Sequence, residues 1–158
     1  MQDSLLAHAV SPAILIVEDH SGMAYVIGQQ FQALSVLSHQ NMHQYQVLAS
    51  GHALLRVLDT LPPQSVYLIV LDAKLADGTG PDLISRLRYP ESRQNIHLAL
   101  HLECVIVGWS GNEQVAIGYR HAGADGFLSK LRDITRIVPD LLHIIEAHRQ
   151  GCAWVELL

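Results

Sequence analysis

Short apolar segments alternate along the chain with longer segments whose apolar residues recur every three or four positions. An uninterrupted apolar segment is typical of a strand buried on both faces of a sheet, and the longer spacing is typical of a helix that buries one face. The apolar segments predict five strands, at 13–17, 45–49, 66–71, 104–107 and 126–129. Helices are predicted at 22–37, at 51–61, at 81–88, between Gly111 and His121, and at 132–149. Pro139 interrupts the last of these near its start and is an alternative first residue of that helix.

This alternation favours one parallel sheet with helices on both faces, joined by right-handed crossovers. The predicted fold class is therefore α/β, with a doubly wound five-stranded parallel sheet. At 158 residues the chain is long enough for one such domain, which we place at 13–150. In this interpretation residues 1–12 form an N-terminal arm, 89–102 form an insertion, and 151–158 form a C-terminal tail.

Composition narrows the classes of protein to which the chain can belong. With 49% hydrophobic and 16% charged residues, the chain has the balance of a folded domain rather than a disordered one. Its net charge is −5 and its basic residues form no run, so we expect no direct contact with nucleic acid. The apolar segments are too short to cross a membrane, and the first residues lack the features of a secretion signal. The two cysteines form no disulfide framework, so we expect a protein of the cytoplasm.

Polar side chains follow four of the five predicted strands. Glu18 and Asp19 follow the first, Asp72 the third, Ser110 the fourth and Lys130 the fifth. Because the carboxyl ends of parallel strands meet at one edge of a sheet, we expect these side chains to lie close together. Clustered carboxylates suit a Mg²⁺ ion, and a hydroxyl and an ammonium beside them would stabilise a transferred phosphoryl group. A carboxylate such as that of Asp72 is a competent acceptor for that group.

Four segments carry these residues, and their order along the chain is that of a known family. They are Ile14-Leu-Ile-Val-Glu-Asp-His20, Val70-Leu-Asp-Ala-Lys-Leu-Ala-Asp-Gly-Thr-Gly80, Val105-Ile-Val-Gly-Trp-Ser-Gly111 and Ala122-Gly-Ala-Asp-Gly-Phe-Leu-Ser-Lys130. Together they resemble the signature segments of receiver domains, the response-regulator modules of bacterial two-component signalling. The resemblance covers residues 13–150 and implies the flavodoxin-like (βα)5 receiver fold.

The resemblance implies that Asp72 accepts a phosphoryl group from a histidine kinase or a phosphotransfer protein. Glu18 and Asp19 match the acidic pair that holds Mg²⁺ in this family, together with Asp72 and the backbone carbonyl of Lys74. Such a domain catalyses its own phosphorylation, so we expect a signalling switch with no turnover of an external substrate, and not an enzyme in the usual sense.

The resemblance also implies a conformational switch. Ser110 matches the hydroxyl that turns toward the phosphoryl group, Lys130 the cation that pairs with it, and Phe127 the aromatic residue whose position follows the hydroxyl. Phosphorylation would add ~1.5–2 negative charges at Asp72, after which Ser110 and Phe127 would move inward. The surface formed by the fourth helix, the fifth strand and the fifth helix would then change shape for a downstream protein partner.

The predicted C-terminal tail is rich in apolar residues. Its large apolar side chains are those of Trp154, Val155, Leu157 and Leu158. If they are exposed, they form a patch of the kind that supports association, so a homodimer is one expected assembly.

Two alternative functions remain open at this point. The first is a pseudo-receiver, which keeps the fold as a binding module and is not phosphorylated. The second is a small serine hydrolase that uses Ser110, because Gly108-Trp-Ser-Gly-Asn112 approaches the Gly-x-Ser-x-Gly motif of that class. Asn112 stands where the motif needs glycine, which counts against a hydrolase. Trp109 is large for its place beside Ser110, and we expect it to restrict access to the site.

Overall fold

The protein is described from a computed structural model, in which the described residues are 14–38, 45–62, 65–89 and 104–158, with side chains through residue 33 in the first range. The predicted N-terminal arm and nearly all of the predicted insertion lie outside these ranges. Within them, no helix has the length and apolar character needed to cross a membrane.

The described elements alternate between strands and helices along the chain. The strands are β1 (Ile14–Val17), β2 (Tyr45–Leu48), β3 (Leu68–Asp72), β4 (Lys74–Leu75), β5 (Gly78–Thr79), β6 (Val105–Ser110), β7 (Gly126–Ser129) and β8 (Val155–Leu157). The helices are α1 (Ser21–Ser38), α2 (Gly51–Thr60), α3 (Gly80–Arg88), α4 (Ala116–Ala122) and α5 (Ile137–Arg149). Short 3₁₀ turns at Glu113–Val115 and Ile134–Arg136 precede α4 and α5.

Six of these strands form one parallel sheet in the order β2-β1-β3-β6-β7-β8. The remaining two, β4 and β5, form an antiparallel hairpin directly after β3. The chain adds β2 on one side of β1 and all the later strands of this sheet on the other side, so a topological switch point lies between β1 and β3. The predicted doubly wound α/β fold class is confirmed.

The sheet separates two apolar clusters. One cluster packs between the sheet and α2, α3 and α4, and the other packs between the sheet and α1 and α5. Residues of a strand alternate between the two, as in β6, where Val107 and Trp109 face α1 and α5 while Ile106 faces the opposite helices. Because β1 and β3 are buried along their whole length, their sequences are uninterrupted apolar segments up to the polar end.

The sheet has six strands rather than the predicted five, because the C-terminal segment adds β8 beside β7. The Val155 N–H donates to the Asp125 carbonyl oxygen at 3.2 Å, which begins this pairing. Trp154, Val155 and Leu157 pack against the core of their own domain and are only partly exposed. The apolar tail therefore completes the sheet instead of forming the expected open patch, and Leu158 alone among its large apolar residues is mostly exposed, at 55%.

Several element boundaries differ from the prediction, and two of the differences have local reasons. β6 continues to Ser110, past the last residue of the apolar segment, because Gly108 and Ser110 interrupt the pattern without interrupting the strand. The last helix begins at Ile137 rather than near residue 132, because Asp133 caps a 3₁₀ turn by accepting the Thr135 N–H at 2.9 Å.

The hairpin after β3 is tied to the N-terminus of α2 by Asp77. Its two carboxylate oxygens accept the N–H groups of Gly51 at 2.9 Å and of His52 at 2.7 Å. These hydrogen bonds hold the pKa of Asp77 below its ordinary value, and the one from His52 has the larger effect. Since the first N–H groups of a helix lack partners within the helix, the contact stabilises α2 and at the same time fixes the hairpin.

We expect the Asp77→Asn variant to lose a pH-dependent part of its stability. The pKa of Asp77 is lower in the folded than in the unfolded protein. The stability that its charge contributes is therefore fully present above about pH 4, the ordinary pKa of aspartate, and is lost as the pH falls through the pKa of the folded protein. Urea unfolding of both proteins between pH 7 and pH 3 measures this. The wild type should be the more stable at neutral pH, with a difference that narrows in acid. A difference that stays constant over the range would contradict the assignment.

Candidate functional site

The candidate site lies at the carboxyl ends of β1, β3, β6 and β7, next to the switch point of the sheet. Asp72 is the last residue of β3 and is only 8% exposed, and Glu18, which follows β1, is 2% exposed. Asp19 follows Glu18 and is exposed. The structure therefore brings together at one edge two buried carboxylates and one that solvent can reach.

These three carboxylates form an acidic cluster. One oxygen from each of Glu18, Asp19 and Asp72 lies within 4.8 Å of the other two. Like charges at such distances repel one another unless a cation lies between them. A hard divalent cation takes oxygen ligands of this type, so the residues present fit such an ion.

Lys130 places an ammonium group at the same cluster. Its Nζ lies 2.6 Å from Glu18 Oε2 and 3.1 Å from Asp72 Oδ1, and its side chain is 17% exposed. Backbone N–H groups hold both carboxylates in addition, since His20 donates to Glu18 Oε1 at 2.9 Å and Ala73 donates to Asp72 Oδ1 at 2.7 Å. The buried negative charges are thus paired and hydrogen-bonded, as buried charges must be.

Ser110 ends β6 beside Asp72 and is buried, and its Oγ accepts the Asn112 N–H at 3.1 Å. Asp72 and Ser110 both line a surface cavity of about 490 Å³, whose other walls include Thr79 and Lys74. A cavity of this size is sufficient for a small molecule or for a side chain of a partner protein.

Lys74 lies on the β4–β5 hairpin, where it pairs with Thr79. The hairpin lies close against the end of β3, because the Gly80 N–H donates to the Ala73 carbonyl oxygen at 3.1 Å. A Cβ at Gly80 would collide with the Asp72 carbonyl oxygen, so this close approach requires glycine. The backbone on both sides of Asp72 is therefore held in place.

Phe127, the predicted switch aromatic, is fully buried in this conformation. Its ring lies in the cluster under α2, α3 and α4, with its centroid 5.7 Å from that of Tyr119. The ring is 0% exposed, so it is packed inside the domain in this structure.

Tyr119 is a site residue that the sequence analysis missed. It lies on α4, is fully buried, and donates its hydroxyl to the Leu71 carbonyl oxygen at 2.8 Å, one residue before Asp72. Burial, and secondarily the negative charge of Asp72, raises the pKa of this hydroxyl well above its ordinary value. The available signal was Gly108, a glycine within a strand, because a Cβ there would collide with the Tyr119 ring.

Trp109 does not restrict the approach to Ser110, contrary to expectation. It is fully buried in the cluster beneath α1 and α5, because successive residues of a strand point to opposite faces of the sheet. Its ring instead lies beneath Lys130, whose Nζ is 4.6 Å from the ring centroid.

Comparisons with known proteins agree with this arrangement. The family model of the response regulator receiver domain matches residues 14–141. No curated protein sequence matches the chain.

Solved structures share the fold. The chemotaxis response regulator CheY4 of Vibrio cholerae is 14% identical with a TM-score of 0.66, over 84% of this chain and 98% of that one. A CheY-like response regulator receiver domain protein from Methanospirillum hungatei JF-1 is 15% identical with a TM-score of 0.65, over 89% and 98%. A LuxR family DNA-binding response regulator from Silicibacter pomeroyi is 20% identical with a TM-score of 0.63, over 93% and 97%.

We expect the Tyr119→Phe variant to be less stable than the wild type by ~1 kcal/mol, because the buried Leu71 carbonyl loses its hydroxyl donor while the ring packing is kept. Urea unfolding at neutral pH measures the difference. Tyr89→Phe is the matched control, since Tyr89 is exposed and its change should leave the free energy of unfolding within error. Equal stability of Tyr119→Phe and the wild type would contradict the role assigned to this hydrogen bond.

Proposed function

The chain belongs to the response regulator receiver domain family, and from this premise we propose that Asp72 is the phospho-acceptor of a two-component signalling protein. Its phosphoryl donor would be a histidine kinase or a phosphotransfer protein. The observation that carries the proposal is the ammonium of Lys130, 3.1 Å from Asp72 Oδ1, within an edge that also holds Glu18 and Asp19.

The proposed transfer needs only the groups at this edge and a phosphorylated donor. A carboxylate oxygen of Asp72 attacks the phosphorus of a phosphohistidine, so that a P–O bond forms while the P–N bond breaks and its electron pair returns to the imidazole of the donor. With a small acyl phosphate, a P–O bond of the donor breaks instead and a carboxylate leaves. Attack by water on the phosphorus later releases inorganic phosphate and restores the Asp72 carboxylate.

Catalysis of this step is mainly the stabilisation of charge on the phosphoryl oxygens. Lys130 would supply a fixed positive charge and Ser110 a hydroxyl donor. Glu18, Asp19 and Asp72, with the backbone carbonyl of Lys74, would hold Mg²⁺. When bound, the ion would neutralise negative charge on the phosphoryl oxygens.

The proposed output is a change at the surface of α4, α5 and β8. Tyr119 joins α4 to the backbone at Leu71, so it offers a route from the end of β3 to this surface. The C-terminal segment is part of the same surface: Arg120 lies 6.0 Å from the ring centroid of Trp154, and β8 covers the edge of β7. A downstream protein partner would contact this surface in its altered form.

Phosphorylation of the purified protein is the direct test. Incubation with Mg²⁺ and a small acyl phosphate should add the mass of one phosphoryl group to the wild type and none to Asp72→Asn. Asp82→Asn, which changes an exposed carboxylate on α3, should be modified like the wild type. A wild type that stays unmodified with acyl phosphate, phosphoramidate and a phosphohistidine donor would contradict the proposal and favour a pseudo-receiver.

The proposed metal site predicts a second result. Because Asp19 is exposed, Asp19→Asn should fold normally and lose one charged ligand, so its Mg²⁺ affinity should fall by about tenfold or more. Titration calorimetry measures the Mg²⁺ affinity. The phosphorylation rate of Asp19→Asn should recover at high Mg²⁺ concentration. Asp59→Asn, an exposed change on α2, is the control. Equal Mg²⁺ affinity in Asp19→Asn and the wild type would exclude Asp19 as a ligand.

A further inference from the structure

Trp109 lies beside the proposed acceptor but takes no part in the transfer described above. In the sheet its register partner on β3 is Asp72 itself. The indole is fully buried, and its Nε1 has no hydrogen-bond partner among the residues that the structure describes. The position of this large buried ring at the end of a strand, next to a charged site, suggests a role in addition to core packing.

The path of the Lys130 side chain supplies that reason. Lys130 follows β7, whereas Asp72 ends β3 and Glu18 follows β1, and β6 lies between β7 and β3. Neighbouring strands lie roughly 4.8 Å apart, so the lysine must extend across β6 before its Nζ can reach the two carboxylates. Trp109 is the residue of β6 over which it passes, with 4.6 Å between Nζ and the ring centroid.

Among aromatic side chains, the face of an indole attracts an ammonium most strongly. The ring is held by burial on its other side, while the lysine has a flexible stem that must be ordered to place its charge. The attraction also gains strength because Lys130 is mostly shielded from water.

We propose that Trp109 is a positioning residue, whose ring face holds the Lys130 ammonium at the acceptor carboxylate before the phosphoryl group arrives. The inference rests on the proposed phosphorylation of Asp72. It goes further by assigning part of the reactivity to a residue that does not line the cavity beside Asp72 and has no chemical role in the transfer.

A packing role and a positioning role predict different results for matched variants. Trp109→Phe and Trp109→Met both remove volume from the core, but only phenylalanine keeps a ring face, and the fluorinated series described below controls for the difference in volume. If the ring acts on Lys130, the rate at saturating acyl phosphate should fall by roughly two- to thirtyfold in Trp109→Met and less in Trp109→Phe, the range expected for a shielded cation–π contact. The donor concentration at half-maximal rate should stay unchanged, because Trp109 does not line the cavity beside Asp72 in which the donor would bind.

A double-mutant cycle with Lys130→Met shows whether Trp109 acts through the lysine. In the Lys130→Met background, Trp109→Met should cause no further loss of rate. An additive loss in the double variant would overturn the inference, as would equal rates in Trp109→Phe and Trp109→Met.

Fluorinated tryptophan tests the same contact without change of volume. The chain has two tryptophans, so Trp154→Phe leaves Trp109 as the single labelled position. Successive fluorine atoms weaken the negative face of the ring, and the phosphorylation rate should fall step by step with them. This series tests the contact between the ring and Lys130 even if Trp109→Met fails to fold. A phosphorylation rate that is independent of fluorination would overturn the inference.

The two proposals fail in different ways. A wild type that no donor phosphorylates overturns the proposed function, and the positioning role with it. A wild type that is phosphorylated, with a rate insensitive to the ring face, overturns the positioning role alone.

Discussion

The contact of the Lys130 ammonium with two buried carboxylates is the interaction on which the candidate site depends. Glu18 and Asp72 are buried carboxylates close to one another, and the ammonium that contacts both offsets their mutual repulsion. The lysine that supplies the charge is 112 residues away from Glu18 along the chain, and β3 and β6 lie between the strands that the two residues follow. The site is therefore assembled only when β1, β3, β6 and β7 are all in place.

Close packing behind Asp72 complements this charge pairing. Gly80 brings the hairpin against the end of β3, and Gly108 makes room for the ring of Tyr119 beneath β6. Asp77 fixes the far side of the hairpin to α2. Asp72 is thus held from several directions, which suits the proposed transfer of a phosphoryl group in a defined orientation. The same contacts join the site to α2 and α4, so a change of charge at Asp72 has packed elements to act on.

The sixth strand gives this domain a different surface from that of a five-stranded sheet. In the described part of the chain, β8 takes the edge of β7, and Arg132 Nη1 donates to the Leu158 carbonyl oxygen at 2.9 Å. The last residues are therefore part of the face that the proposed switch would alter. A partner would have to recognise β8, which is now the edge strand, together with α4 and α5, and not the edge of β7.

The sequence by itself determined the fold class and the residues gathered at the sheet edge. Buried parallel strands need uninterrupted apolar segments, and parallel topology brings their carboxyl ends together, so Glu18, Asp72, Ser110 and Lys130 could be assigned before any coordinates. What only the tertiary structure decided depends on contacts between distant segments. A short apolar tail is equally typical of an exposed patch and of an edge strand, and only its pairing with β7 shows that it is an edge strand. The roles of Tyr119 and Trp109 could not be predicted either, because a large aromatic residue in an apolar pattern predicts burial but not its neighbours. Those neighbours, a backbone carbonyl for one ring and an ammonium for the other, exist only once the strands lie side by side.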